Sequence, residues 1–346
     1  MKKYILPSCF LVLLSVIFIV HNPSSARTPL VKTDTTTAKN EMLNLSQTIP
    51  LAGVKGRIDH MAYDAVGQRI FICALGNGSV EIVDLKTNKV IHSIKNLAEP
   101  QGIVYDSIGK RIFVSSGNDG MLRVYNSENY ARTDSLKIGS DADNVRYDYL
   151  TKRIYVAYDG GMAVVNADGL KMISNIELDG HPESFQMDQT TKKMYVNVPD
   201  AEEIEVINLT RNIVWEKWVM NDAKDNFPMA LDEKTHHVFV ACRHPSKILV
   251  MDDNSGRIVT VMECSDDADD IFYDSNSRQL IVSCGQGFID IYKGQNDSLF
   301  HRQPRISTRL LARTSYYNSR DRKYFLAVPQ MLPGNDAELR TYHLTY

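Results

Sequence analysis

Residues 64–72 read DAVGQRIFI: an Asp, four variable residues, a basic or polar residue, and then strand-forming residues. The same pattern returns as DSIGKRIFV from Asp106, DYLTKRIYV from Asp148, DQTTKKMYV from Asp188, DEKTHHVFV from Asp232, DSNSRQLIV from Asp274 and NSRDRKYFL from Asn318. Successive copies begin 42, 42, 40, 44, 42 and 44 residues apart. A nearly fixed period of this length is the signature of a repeat architecture. The first residue of each copy is called its anchor below.

Each of the first six copies contains four short segments typical of β-strands. Around the first anchor these are HMAY (60–63), RIFICAL (69–75), SVEIVDL (79–85) and VIHSIKNL (90–97), separated by turn residues. Four antiparallel strands in about 42 residues make one propeller blade. The chain is therefore predicted to be an all-β protein, a seven-bladed β-propeller. Asp64 and Arg69, and their equivalents in the other copies, are expected to hold the turn between the first two strands.

The two ends of the repeat region indicate how the ring closes. The seventh copy offers only three strands, near 313–318, 323–329 and 337–344. The segment 42–53, MLNLSQTIPLAG, precedes the first blade and matches the pattern of a fourth strand. We predict that this N-terminal strand completes the last blade beside the C-terminal strand, which removes an open sheet edge. The propeller domain is assigned to residues 42–346.

The first 41 residues differ from the rest. A basic start, an apolar stretch and the small residues Ser24-Ser25-Ala26 predict a signal peptide at 1–26, cut after Ala26. The alternative is a retained membrane anchor, for which the stretch is short. Residues 27–41 are polar and Thr-rich, and we expect a flexible lead-in there. The mature protein is predicted to be periplasmic or secreted, with a cell-surface location possible, and to have no membrane span.

Composition narrows the function classes. The chain has a net charge of -3 and no cluster of Lys and Arg beyond its first residues, so no nucleic-acid partner is predicted.

Four cysteines remain after the predicted signal-peptide cleavage: Cys73, Cys242, Cys264 and Cys284. An even number permits disulfides in an oxidising compartment. Three of the four lie in apolar strand segments, which favours buried free thiols.

The first blade, RIFICALGNGSVEIVDLKTNKVIHSI, resembles the YVTN repeat of bacterial and archaeal propellers, and RIYV (153–156) and MYVNV (194–198) fit the same pattern. That family includes YncE-like periplasmic proteins and surface-layer proteins. The resemblance covers residues 42–346. It implies a propeller fold and, most often, a binding or scaffold role, but the same architecture also carries enzymes, so it does not decide the activity.

Propeller geometry limits where a site can lie. First strands line the central channel, so the residues four and five positions before each anchor should ring one mouth of that channel. With Arg57 and His181 just upstream of that ring, the predicted ligand-binding residues are Arg57, Asp59, His60, Gln101, Asp143, Asn144, His181, Glu183, Asp269, Asp270 and Arg313.

Three interpretations of this acidic mouth are open. Its polar side chains could simply be solvated. They could hold Ca²⁺ or Mg²⁺, for which Asn144, Glu183 and Asp269 supply oxygen ligands. They could instead recognise a polar ligand such as a sugar or peptide, with Arg57 and Arg313 available to pair with a carboxylate.

The leading functional hypothesis is a non-enzymatic propeller outside the cytoplasm that binds an unidentified ligand or protein partner at this mouth. The alternative is a metal-dependent hydrolase, or a lyase, using the same residues. Lactonase-like propellers hold a divalent metal with Glu, Asn and Asp, and Glu183, Asn144 and Asp269 are of these types without an accompanying lactonase motif. Streptogramin-lyase-like propellers use His and Glu, a role that His60, His181 and Glu183 could fill.

Overall fold

A computed structural model describes residues 42–331 and 335–345, which form seven antiparallel sheets arranged as the blades of a propeller. The strands of blades 1 to 3 are β2 (Met61–Asp64), β3 (Arg69–Ala74), β4 (Ser79–Asp84), β5 (Lys89–Ile94), β6 (Pro100–Asp106), β7 (Arg111–Ser116), β8 (Met121–Asn126), β9 (Arg132–Lys137), β10 (Val145–Asp148), β11 (Arg153–Tyr158), β12 (Gly161–Asn166) and β13 (Lys171–Glu177). Those of blades 4 and 5 are β14 (Phe185–Asp188), β15 (Lys193–Val198), β16 (Glu203–Asn208), β17 (Ile213–Val219), β18 (Lys224–Asp232), β19 (His237–His244), β20 (Ser246–Asp252) and β21 (Ile258–Glu263). Blades 6 and 7 contain β22 (Ala268–Asp274), β23 (Gln279–Cys284), β24 (Phe288–Gly294), β25 (Phe300–Arg302), β26 (Ile306–Ser307), β27 (Ser315–Asn318), β28 (Lys323–Val328), β29 (Ala337–Leu344) and β1 (Leu43–Leu51). The predicted seven-bladed β-propeller is confirmed.

The N-terminal strand completes the last blade. Its sheet has the order β1-β29-β28-β27, and β1 pairs antiparallel with β29 from Leu43 opposite Leu344 to Leu51 opposite Ala337. Leu43, Ile49 and Leu51 are 3%, 1% and 0% exposed. The predicted closure of the ring is thus present, and β1 contributes to the hydrophobic core as well as to the sheet.

The core lies between the blades rather than in the middle of the ring. Seven clusters of buried apolar side chains are present, and each joins one blade to the next, including one that joins blade 7 to blade 1. Phe113 of blade 2, for example, packs with Val145 and Ile154 of blade 3. Because burial between blades stabilises the ring, the channel at its centre does not have to supply the hydrophobic core.

The anchor residues hold the turns between the first and second strands of their blades. Asp64 is 3% exposed, accepts a hydrogen bond from the Gly67 amide at 2.8 Å, and pairs with Arg69 at 2.7 Å. Arg69 Nη1 also donates to the Ser127 carbonyl of the next blade at 2.6 Å. Asp106 and Arg111 repeat the same arrangement. These residues therefore position the strands and have no part in the channel mouth.

The four cysteines of the described residues are free thiols, three of them buried, and Cys264 and Cys284 have their Sγ atoms 3.7 Å apart. We expect glutathione disulfide to join this pair: two thiols lose two electrons and two protons, and the oxidant becomes two glutathione thiols. Thiol titration of the denatured protein should then fall by two groups. The Cys264→Ser variant should resist the change, whereas Cys73→Ser should not. An unchanged thiol count would contradict the expectation.

The helical segments in the described ranges are two short 3-10 turns, Leu75–Asn77 and Pro199–Ala201. No helix there has the length and apolar character that a bilayer-spanning segment needs. The predicted signal peptide (1–26) and lead-in (27–41) lie outside the described residues.

Candidate functional site

Two adjoining cavities lie at the predicted mouth of the channel. The inner mouth cavity, about 400 Å³ including the space open to solvent, is lined by Arg57, Asp59, His60, Asp143, Asn144, Arg146, Glu183, Ser184, Phe227, Asp269 and Asp270. The outer mouth cavity, about 520 Å³ counted in the same way, is lined by Arg57, Gln101, Asp141, Asp143, His181, Glu183, Phe227, Arg243, Asp269 and Arg313. All eleven residues singled out from the sequence line one or both cavities, so the structure brings them together. Their role in binding stays a prediction.

The repeat explains this convergence, because equivalent residues are held by the same backbone bonds. The Asp59 amide donates to the Cys73 carbonyl at 2.7 Å, and the Cys73 amide donates to the His60 carbonyl at 3.0 Å. Asp143 and Glu183 form the same bonds with Ala157 and Asn197. Blades 1, 3 and 4 thus hold the residue five positions before the anchor in the same backbone setting.

Two buried carboxylates dominate the inner mouth cavity. Asp59 is 4% exposed and Asp143 is 8% exposed. Arg57 Nη2 lies 2.8 Å from Asp59 Oδ2, but this oxygen accepts no hydrogen bond from the described residues, and neither does Asp143 Oδ1. His60 Nε2 is 3.7 Å from Asp143 Oδ1, and His181 Nε2 is 3.8 Å from Asp143 Oδ2. Two carboxylate oxygens in one cavity are therefore without a hydrogen-bond donor.

The crowded charges shift the proton affinities of the mouth residues. Burial and the negative charge of Asp143 raise the pKa of Asp59 well above its usual range. The same two causes raise the pKa of Glu183 to about 7. Burial opposes the charge on His181, but its contact with Asp143 and the field of Glu183 outweigh this and raise its pKa to about 9. At neutral pH, Glu183 is thus close to half-protonated.

His60 and Asp143 complete this set of interacting groups. Burial lowers the pKa of His60, so its imidazole is neutral at pH 7. Burial also disfavours the charged form of Asp143, yet His181, His60 and Arg57 together lower the pKa of its carboxyl group. Asp143 is therefore the fixed negative charge of the cavity, and the neighbouring carboxyl groups adjust their protonation to it.

The outer mouth cavity is more basic than the sequence indicated. Asp269 lies between two guanidinium groups: Arg243 Nη2 is 2.6 Å from its Oδ1, and Arg313 Nε is 3.3 Å from its Oδ2. Both arginines also contact Asp267, and Arg243 stacks over the Phe227 ring with its guanidinium carbon 4.0 Å from the centroid. The mouth thus alternates acidic and basic groups rather than being uniformly acidic.

The proposed metal ligands already have cationic partners. Asn144 Oδ1 accepts a hydrogen bond from Arg146 Nη1, and Asp269 is held by Arg243 and Arg313. A Ca²⁺ or Mg²⁺ ion held by Asn144, Glu183 and Asp269 would have to replace these contacts. That metal site stays a prediction. Close groups of three Cys, His, Asp or Glu ligand atoms occur in the described ranges away from the mouth, at Cys264/Cys284/Asp290 and Asp179/Glu203/Glu205.

Sequence reasoning missed four charged residues of the mouth. Arg146 stands two positions before its anchor, where the other copies have Ala, Val, Gln, Ala, Phe and Tyr, so alignment of the repeats could have found it. Arg243 and Asp267 come from neighbouring blades, and Asp141 accepts a hydrogen bond from Gln101 at 2.7 Å. Arg243, Asp267 and Asp141 lie in loops or at strand ends, where the seven copies are not alike. Alignment of the repeats therefore does not single them out.

Comparison with solved structures supports the fold alone. One similar chain is from Kuenenia stuttgartiensis hydrazine synthase, with 14% identity and a TM-score of 0.70 over 86% of this chain and 99% of that chain. Another belongs to a mitotic checkpoint complex, with 9% identity and a TM-score of 0.74 over 96% of this chain and 99% of that chain. No protein-family model matches the sequence, and no curated protein matches it either. The chain is a seven-bladed β-propeller whose fold occurs in proteins of unrelated activity.

Proposed function

We propose that this chain is a YVTN-type binding propeller that works outside the cytoplasm and captures a small ligand at the channel mouth through a cationic group. The observation that carries this proposal is Asp143 Oδ1, a buried oxygen of the inner mouth cavity that has no hydrogen-bond donor, beside Asp59 Oδ2, whose close partner is the Arg57 guanidinium. A buried polar atom without a hydrogen bond costs about 1–3 kcal/mol. A bound cation would pair with Asp143 Oδ1 and offset the Asp143 charge that, together with burial, raises the pKa of Asp59.

The cationic group can be an organic ammonium or a divalent metal ion, and the two are separable by experiment. Ethanolamine, CaCl₂ and MgCl₂ serve as probes in calorimetric titrations at pH 7.5. We expect one of them to bind with 1:1 stoichiometry and Asp59→Asn to weaken it at least tenfold, because an amide cannot balance the positive charge. Asp134→Asn, on the exposed face of β9, is the matched control and should bind normally.

Two results would contradict the proposal: no heat with any probe, or equal affinity in the Asp59→Asn variant. The Asp59→Asn variant is expected to fold. Burial raises the pKa of Asp59 and so disfavours its charged form, which means that the neutral amide should be tolerated at this position.

A second candidate function is acid–base catalysis at the same mouth, as in a hydrolase or lyase. Glu183 favours it, because a carboxyl group with a pKa of about 7 can both accept and donate a proton at neutral pH. The metal-dependent version of this candidate predicts bound metal in the purified protein and a lower melting temperature after EDTA treatment. Absence of both would leave only a metal-independent lyase or the binding role.

A further inference from the structure

A third cavity lies in the channel below the mouth. This channel cavity, about 1030 Å³ including the space open to solvent, is lined by the first strands of six blades. Its aromatic wall consists of Tyr63, Tyr105, Tyr147, Tyr149, Phe272 and Tyr316. It extends from His60, which also lines the inner mouth cavity, to Tyr149, which follows the Asp148 anchor and is 50% exposed. Since the anchors lie at the end of the channel opposite the mouth, this cavity faces the other side of the ring.

Arg146 supplies the cation of the channel cavity, and it lacks an anionic partner. Arg57, Arg243 and Arg313 each pair with a carboxylate, whereas no carboxylate oxygen of the described residues lies within 4.0 Å of the Arg146 guanidinium. Arg146 bonds only through Nη1, to Asn144 Oδ1 and to the Val145 carbonyl. Its Nε and Nη2 groups have no hydrogen-bond acceptor among the described residues.

The nearest acid in the cavity wall does not form an ion pair with Arg146. Asp270 also lines the channel cavity, and its Oδ2 accepts the Ser315 amide at 2.6 Å. Asp270 and Asp143 favour the charge of Arg146 from beyond ion-pair distance. The Arg146 guanidinium carbon also lies 5.4 Å from the centroid of the Phe185 ring. A guanidinium group remains charged at any ordinary pH. Arg146 is thus a positive charge beside an aromatic wall, with no carboxylate in direct contact.

A second polar group in the wall is also unsatisfied. Tyr105 is 5% exposed, and its phenol oxygen has no hydrogen-bond partner among the described residues. Its neighbour Tyr149 donates instead to the Tyr105 carbonyl at 2.7 Å. The Tyr105 phenol is thus buried in the core between blades 1 and 2, and a ligand would reach it only if the ring moved.

We infer that the channel cavity is a second binding site, adjoining the inner mouth cavity at His60, Arg146 and Asp270, for a small aromatic carboxylate whose acid group pairs with Arg146 and whose ring packs against the tyrosines. The fork of a guanidinium matches the two oxygens of a carboxylate. Aromatic rings gain from offset or edge-to-face packing on a planar ligand. Aromatic side chains combined with a small number of polar groups that fix orientation are typical of small-molecule sites.

The test uses 2-naphthoate as the aromatic acid, decahydro-2-naphthoate as its non-aromatic counterpart and 2-naphthylmethylamine as its cationic counterpart. In titration calorimetry at pH 7.5, we expect 2-naphthoate to bind with 1:1 stoichiometry, the saturated acid at least fivefold more weakly, and the amine not at all. Arg146→Gln should weaken 2-naphthoate at least tenfold, because the paired charge is lost. Arg132→Gln, on the exposed strand β9, is the matched control and should bind normally.

The outcomes separate this inference from the proposed function. Asp59→Asn alters the mouth only, so it should leave 2-naphthoate affinity unchanged even if it abolishes binding of ethanolamine or a metal ion. Because Arg146 has no ion pair to lose, Arg146→Gln should melt within a few degrees of the unmodified protein, and Arg146→Lys should bind with intermediate affinity. Absence of 2-naphthoate binding, or equal affinity in Arg146→Gln, would overturn the inference.

Discussion

A chain that starts at Ala52, and so lacks β1, is expected to lose its cooperative melting transition and to aggregate, whereas a chain that starts at Glu41 should melt normally. Removal of β1 exposes the edge of β29 and strips Leu43, Ile49 and Leu51 from the core. Truncating one such buried residue to Ala costs about 2–5 kcal/mol. Loss of all three approaches the whole stability of a typical protein, about 5–15 kcal/mol. Circular dichroism melting and size-exclusion chromatography measure the result.

Two point substitutions in the same strand give the controlled version of this experiment. Leu51 is 0% exposed and Leu45 is 54% exposed. Leu51→Ala should lower the free energy of unfolding by about 2–5 kcal/mol. Leu45→Ala should change it by less than about 0.5 kcal/mol. Equal effects of the two substitutions would show that β1 is not packed as described.

Glu183→Gln is expected to stabilise the protein at pH 8 and to leave its stability unchanged at pH 4. The pKa of Glu183 rises from 4.5 to about 7 on folding, so below pH 4.5 the carboxyl group is neutral in both states. As the pH increases from 4.5 to 7, Glu183 loses its proton first in the unfolded state. The free energy of unfolding of the unmodified protein therefore decreases over this range. At about 1.4 kcal/mol per pKa unit, the free energy of unfolding of Glu183→Gln should exceed that of the unmodified protein by on the order of 3 kcal/mol at pH 8. Chemical denaturation at both pH values measures it.

His181 acts in the same direction at higher pH. Its pKa rises from 6.5 to about 9, so the stability it contributes is full below pH 6.5 and is lost as pH rises through 9. The unmodified protein should therefore become steadily less stable from pH 5 to pH 9.

The matched control for Glu183→Gln is Glu177→Gln, at the exposed end of β13, whose stability should follow the pH curve of the unmodified protein. A stability gain in Glu183→Gln that is equal at pH 4 and pH 8 would contradict the assignment.

The repeat predicts the fold and the mouth because both depend on register. Once the anchors are aligned, the residues five positions earlier in blades 1, 3 and 4 have the same backbone setting, which is why Asp59, Asp143 and Glu183 could be placed together from the sequence. Register also identified the N-terminal strand that closes the ring. Periodicity is thus enough to locate residues that repeat, whether or not their side chains are alike.

The charge pattern of the mouth could not be predicted in the same way. Arg243 and Asp269 are 26 residues apart, belong to different blades and meet only when the ring curves. The sequence therefore shows the carboxylates of the first strands together with Arg57 and Arg313, but it gives no sign of Arg243, which pairs with Asp269. The shifted pKa values of Glu183 and His181 are even harder to predict from the sequence, because they depend on burial and on distances between blades.

The closure of blade 7 also has a consequence for the order of events during synthesis. Ser46 donates a hydrogen bond to the Thr341 carbonyl at 2.9 Å, across a sequence separation of 295 residues. β1 leaves the ribosome first and its partner β29 leaves last, so the ring cannot close until nearly the whole propeller has been translated. Until then β1 has apolar side chains and an unpaired edge, and a nascent chain in this state is a natural client for chaperones.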